Sequence, residues 1–128
     1  KEGFRYNKPI RRDAKMADER KSLIQQYVDS VQKIYGSHLK KVILYGSYAR
    51  GDFAQDSDVD LMLLVDLSEE EAEIFADSLS ELGFEYNIKH DIWMMPVVKN
   101  IAHFKKWSAV YPFYYNVERE GVSLYDAF

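Results

Sequence analysis

Apolar residues recur at spacings of three and four between Asp18 and Gly36, at Leu23, Ile24, Tyr27, Val28, Val31, Ile34 and Tyr35. This period predicts an amphipathic helix that Gly36 closes. Two strand-like runs follow. "LKKVILY" (39–45) is rich in β-branched and apolar residues, and "DVDLMLLV" (58–65) is so nearly continuous in its apolar positions that burial on both faces is expected. Between them "GSYARGD" breaks the first strand and predicts a turn into a short helix. Ser68, with Glu71 three residues on, forms a capping box that opens a further helix, for which Gly83 is the expected C′ residue. "FEYNIKHDIWMM" (84–95) reads as a third strand stopped by Pro96, because proline cannot donate to a ladder. Helices are expected around 97–107 and 112–119, punctuated by Ser108, Pro112 and Gly121, and "VSLYDAF" reads as a short last strand. The order helix, strand, strand, helix, strand, helices predicts an α/β fold in one domain, a small mixed sheet flanked by helices.

Composition narrows what that fold can be. With 128 residues, 47% apolar and 15% aromatic, the chain suits a single domain with a proper core. No apolar run approaches the roughly 20 residues that span a bilayer, and the N-terminus is charged, so a cytoplasmic protein without membrane contact is expected. There is no cysteine, which removes disulfides and thiolate metal sites from consideration. Residues 1–15 carry six Lys or Arg against Glu2 and Asp13, a local +4, so the remainder carries −8 of the total of −4. An acidic body argues against a phosphate-backbone binder, and no direct nucleic-acid contact is expected. Residues 1–15 are expected to be a flexible basic segment preceding a single domain at 16–128. That segment is vector-derived if Met16 is the natural start.

The chemistry concentrates in "LYGSYARGDFAQDSDVDLMLLV" (44–65). Side chains alternate along a strand, so Asp58 and Asp60 share one face, two strand rises or about 7 Å apart. Neighbouring carboxylates raise each other's pKa, and both stay ionised only around a cation. A hard cation such as Mg²⁺ fits, since it takes oxygen ligands and shares its coordination with phosphate oxygens. Gly46 and Ser47 supply the complementary half. A strand that turns into a short helix presents free backbone N–H groups, and glycine lets a phosphate approach them. Asp91, placed by its pattern in the middle of the third predicted strand, is the candidate third ligand. Three carboxylates could hold two ions about 3.5 to 4 Å apart, one activating an attacking hydroxyl and one stabilising the leaving group.

Gly46-Ser47, ten residues, Asp58-Val59-Asp60 and a remote Asp91 together resemble the signature of the polymerase β-type nucleotidyltransferase superfamily. "GSYARGDFAQDSDVDL" is similar to the minimal nucleotidyltransferases of bacteria and archaea, the MntA antitoxins among them, and "PFYYNVEREGVSLYD" resembles the usual end of such chains. The resemblance covers most of residues 20–126. It implies the polymerase β-type nucleotidyltransferase fold, with Asp58 and Asp60 ligating both metal ions, Asp91 completing the site of the ion that activates the acceptor, and Gly46 and Ser47 holding the triphosphate. Arg50 matches the family's usual arginine and would steady phosphate charge, or else simply pair with Asp52 or Asp56. The implied cofactor is Mg²⁺, two ions, with Mn²⁺ as an alternative. The implied partners are ATP and a helical HEPN-type toxin, a tyrosine of which would receive AMP. Larger relatives carry an added acceptor domain for which this chain has no room. Two alternatives are nucleotidyl transfer to a small-molecule hydroxyl and an antitoxin that acts by binding alone.

Other motifs point elsewhere or nowhere. The chain lacks the Gly-x4-Gly-Lys-Ser/Thr loop of P-loop ATPases. His38, His90 and His103 lack metal-ligand spacing, and His90 is expected to face away from Asp91. Phe104, Trp107, Tyr111, Phe113, Tyr114 and Tyr115 read as helical faces packed on the sheet rather than as an interface. Trp93 would either pack under a helix or wall the nucleotide pocket.

Overall fold

The computed structural model describes residues 7–128, with side chains described from Asp18 onward. The elements run α1 (Asn7–Tyr35), β1 (Leu39–Tyr45), α2 (Ser47–Arg50), β2 (Val59–Val65), α3 (Glu69–Ala72), α4 (Ala76–His90), β3 (Met94–Asn100), α5 (Ile101–Trp107), α6 (Pro112–Glu120) and β4 (Val122–Asp126). One mixed sheet is ordered β3-β2-β1-β4. β1 is antiparallel to both β2 and β4, whereas β2 and β3 are parallel, in register from Val59↔Met94 to Val65↔Asn100. The parallel pair requires a crossover, and α3 and α4 form it. The expected mixed α/β architecture is the observed one.

Strand β2 is buried on both faces, as its composition demands. Val59, Leu61, Leu63 and Val65 join a core with Tyr27, Val28 and Val31 of α1 and Leu79 and Tyr86 of α4. Met62 and Leu64 point the other way, into a second core with Ile101 and Phe104 of α5 and Tyr114 and Val117 of α6. The sheet is thus the middle of three layers. Of the six clustered aromatics, Phe104 and Tyr114 are core, Trp107 is half-buried, and Tyr111, Phe113 and Tyr115 are exposed.

Several helix boundaries differ from the sequence reading. Helix α1 begins at Asn7 rather than Asp18. Lys, Arg, Ala, Met and Glu extend a helix readily once its apolar stripe is docked, so periodicity marks the packed part and not the start. Residues 1–6 of the basic segment lie outside the described residues. Ser68 does form the capping box, its hydroxyl accepting from the Glu71 amide while the Glu71 carboxylate accepts from the Ser68 amide. The first turns are split by a 3₁₀ stretch, Glu73–Phe75, and Gly83 lies inside α4 instead of ending it.

The larger correction concerns the third strand. Residues 84–90 are helical, and β3 covers Met94–Asn100, reaching past Pro96 into the stretch read as the start of a helix. The alternation of Phe84, Tyr86 and Ile88 imitates a strand, but Tyr86 faces the core while Phe84 and Ile88 are exposed one helical turn apart. Pro96 is tolerated because β3 is an edge strand. The Val59 amide donates to the Trp93 carbonyl (2.8 Å), so odd-numbered residues of β3 face β2 and the Pro96 nitrogen points out of the sheet.

Among the described residues no helix is long and apolar enough to cross a membrane. Met62→Ala and Leu63→Ala should each cost ~2–5 kcal/mol in urea unfolding, since both side chains are fully buried on opposite faces of β2. A near-neutral result for either would show that its face of the sheet is not covered.

Candidate active site

The site lies where β1 ends and β2 begins. Antiparallel pairing sets Tyr45 opposite Asp60, so the chain that leaves β1 starts its turn beside the Asp60 carboxylate. Gly46 makes that turn at φ 75°, ψ −154°, a conformation open in practice to glycine alone. A Cβ at this position would also overlap Oδ2 of Asp60. The amides of Ala49 and Arg50 donate to the Gly46 carbonyl (3.1 and 3.0 Å), closing α2. The preceding amides of Ser47 and Tyr48 are not used by that turn and stand at its front.

Asp58 is placed by a second turn, in which the Ala54 amide donates to the Ser57 hydroxyl and the Ser57 amide to the Ala54 carbonyl (2.8 and 3.1 Å). Asp58 and Asp60 flank the fully buried Val59 and therefore share a face. Partial burial raises the Asp60 pKa above the usual carboxylate range, the charge of Asp58 raises it further, and Arg50 acts against both. Tyr45, edge-on to Phe113 at 5.6 Å, walls the same end of the sheet, and its phenol is raised by burial and by the Asp60 charge.

Arg50 lies beside this pair, but its contacts are with other acids. Its Nε donates to Asp52 (3.3 Å) and an Nη to Glu120 at the end of α6 (3.5 Å). Pairing with Asp52 is thus observed, and Asp56 takes no part in it. Residues that sequence reasoning passed over complete the surroundings. Tyr48 and Phe53 stack at 4.2 Å across Gly51, and Arg20 of α1 donates to the Tyr48 hydroxyl (3.2 Å), tying the turn to the first helix. The spacing of two aromatics around a glycine in "SYARGDF" was the available signal. For Glu120, only a fold could have brought residues 70 apart together.

Asp91 is not in a strand. It caps α4 in the left-handed region at φ 52°, its amide donating to the Asn87 carbonyl (2.9 Å), and it is exposed. Aspartate is one of the few residues other than glycine that accepts this conformation. Among the described residues no group of three or more His, Asp or Glu is placed to hold a metal, so Asp91 is not gathered with Asp58 and Asp60. The pair alone does fit a divalent cation. Two hard oxygen donors face one another's charge, and the missing Cβ of Gly46 lets the Asp60 carboxylate lie directly against the turn that starts α2.

The chain belongs to the nucleotidyltransferase domain family, whose match covers residues 24–116. It is 31% identical over 105 residues to a protein of Methanocaldococcus jannaschii named "Putative protein adenylyltransferase MJ0604", covering 80% of this chain and 94% of that one. A second protein of that organism, "Putative protein adenylyltransferase MJ0141", is 33% identical over 80 residues, 59% of this chain and 75% of the relative. Among solved structures, a chain from a toxin–antitoxin crystallised with AMP-PNP aligns over 80% of this chain and 73% of its own, with a TM-score of 0.47 and 16% identity.

The raised pKa of Asp60 makes its ionised form a burden on the fold. That penalty is absent below the unfolded value of about 3.9, grows as pH rises toward the folded value, and is complete above it. Asp60→Asn should therefore raise Tm at pH 7, and the gain should vanish as pH falls below the unfolded value of about 3.9. A Tm difference independent of pH would mean that charge at Asp60 is not its origin.

Proposed function

We propose that the chain is a metal-dependent protein adenylyltransferase that moves AMP from ATP to a tyrosine hydroxyl of a helical HEPN-type toxin and so acts as its antitoxin. The observation that carries this reading is the Asp58–Asp60 pair set against the side-chain-free turn at Gly46, in a chain of the nucleotidyltransferase family. The names of the M. jannaschii relatives support a protein acceptor. The tyrosine and the toxin rest on the resemblance of "GSYARGDFAQDSDVDL" to the minimal nucleotidyltransferases.

Asp58 and Asp60 would hold the cation, preferably Mg²⁺, which when bound withdraws charge from the phosphates. The first amides of α2, at Ser47 and Tyr48, and the Ser47 hydroxyl would seat the terminal phosphates, next to the Asp60 carboxylate that Gly46 lets lie against this turn. The acceptor oxygen then bonds to the α-phosphorus as the bond from that phosphorus to the bridging oxygen of the β-phosphate breaks. Pyrophosphate leaves with the bonding electrons, and the hydroxyl proton passes to solvent. Such catalysis is mostly positioning and charge stabilisation, so the docked acceptor supplies much of the rate. Arg50 is held beside the pair by Asp52 and Glu120, through its Nε and one Nη, and would turn its other Nη toward phosphate. Asp91 is the proposed third carboxylate, brought into use from the loop whose Trp93 carbonyl holds Val59.

Calorimetry with ATP and Mg²⁺ should show binding to the native chain and none to Asp58→Asn/Asp60→Asn; retained metal-dependent binding by the double variant contradicts the assignment. Asp91→Asn keeps the left-handed cap, so it should leave ATP binding intact while removing labelled AMP transfer to the partner. Unchanged transfer would reduce Asp91 to a helix cap.

A further inference from the structure

A groove of about 780 Å³ runs along the open edge of β3, between α3 and α4 on one side and His103 and Tyr114 on the other. Its lining includes large apolar groups left in solvent: Phe84 is 64% exposed, Trp93 51% and Met95 46%. Ile88, one turn beyond Phe84, extends that lip toward the catalytic end. The seven residues of β3 give the groove a length of about 20 Å, which a helix of about 13 residues would fill.

Two observations select the occupant. An added strand is disfavoured, because the outward Pro96 nitrogen in the middle of the edge has no hydrogen to give. The lip made by α3 and the 3₁₀ turn after it is acidic, with Glu69 and Glu73 on the groove itself and Glu70 and Glu71 beside them, against a single lysine, Lys99, in the lining. A complementary surface therefore carries an apolar stripe flanked by Lys or Arg.

We infer that this groove docks an amphipathic, basic-flanked helix of the acceptor protein. The inference rests on the protein-acceptor reading above. The groove ends at Trp93, whose carbonyl fixes Val59 between the two aspartates, so a helix bound there places the rest of its protein next to the site. Recognition and chemistry then share one rim of the sheet, with the acidic lip at the opposite end setting the direction in which the helix lies.

The test uses the full chain and a fluorescein-labelled 14-residue peptide of Leu and Lys, with Leu at helical i, i+3, i+4, i+7 spacing. Anisotropy should show saturable binding, weakened about tenfold by Phe84→Ser and by Glu73→Lys, while calorimetric binding of Mg²⁺ and ATP stays unchanged in both variants. Both positions are exposed, so neither change reaches the core. Equal binding of a scrambled Leu/Lys peptide, tighter binding of an alternating Val/Lys strand peptide, or no peptide binding at all would overturn the docking inference and leave the nucleotide site standing. So would sedimentation showing a dimer that Phe84→Ser dissolves, since the occupant would then be a second copy. Loss of Mg²⁺ and ATP binding in the native chain would instead remove the function on which the inference rests.

Discussion

The contact between the backbone of Gly46 and the carboxylate of Asp60 is the constraint around which this end of the molecule is arranged. It follows from register. Tyr45 pairs with Asp60 across β1 and β2, so the next residue turns against the acid and has no space for a side chain. The same turn starts α2, whose hydrogen bonds to the Gly46 carbonyl begin at the Ala49 amide and so do not use the first two amides. A carboxylate, a glycine and free N–H groups thus meet because two buried strands are paired in one register and no other. Burial of β2 on both faces protects that register, since a shift of one residue would move Asp60 into the core that Leu61 and Leu63 occupy.

Much of this was legible in the chain. Continuous apolar runs announce a central strand, and the Ser68–Glu71 box announces a helix start, because each pattern records an obligation of the backbone that few other sequences meet. The Gly46, Asp58 and Asp60 cluster was legible for the same reason. The third strand was not. Phe84 and Ile88 are apolar without being buried, so the usual link from hydrophobicity to burial failed there and a helix took on the look of a strand. That error carried Asp91 into an apolar strand, where its charge would have demanded a functional explanation. In an exposed left-handed cap it needs none, and the catalytic role proposed for it rests on the resemblance alone. Arg50 pairing with Glu120 was equally hidden, because nothing local connects α2 to the end of α6.

The residues that misled the sequence reading are the ones that line the open edge. Apolar side chains in solvent, an edge strand that carries proline, and an acidic lip are costly or neutral for a lone fold, yet they sit together along one groove that ends at the site. A nucleotidyl transfer to a protein needs a holder for the phosphates and a holder for the acceptor. Under the proposed function the turn at Gly46 would answer the first need and the β3 edge the second, and both are anchored to β2.

The most direct test of the central claim is a crystal structure of the chain with Mn²⁺ and a non-hydrolysable ATP analogue, read by anomalous scattering. The account predicts an anomalous peak ligated by Asp58 and Asp60, with the triphosphate against the Gly46–Ser47 turn. A manganese peak away from both aspartates, or a nucleotide bound without contact to that turn, would contradict it.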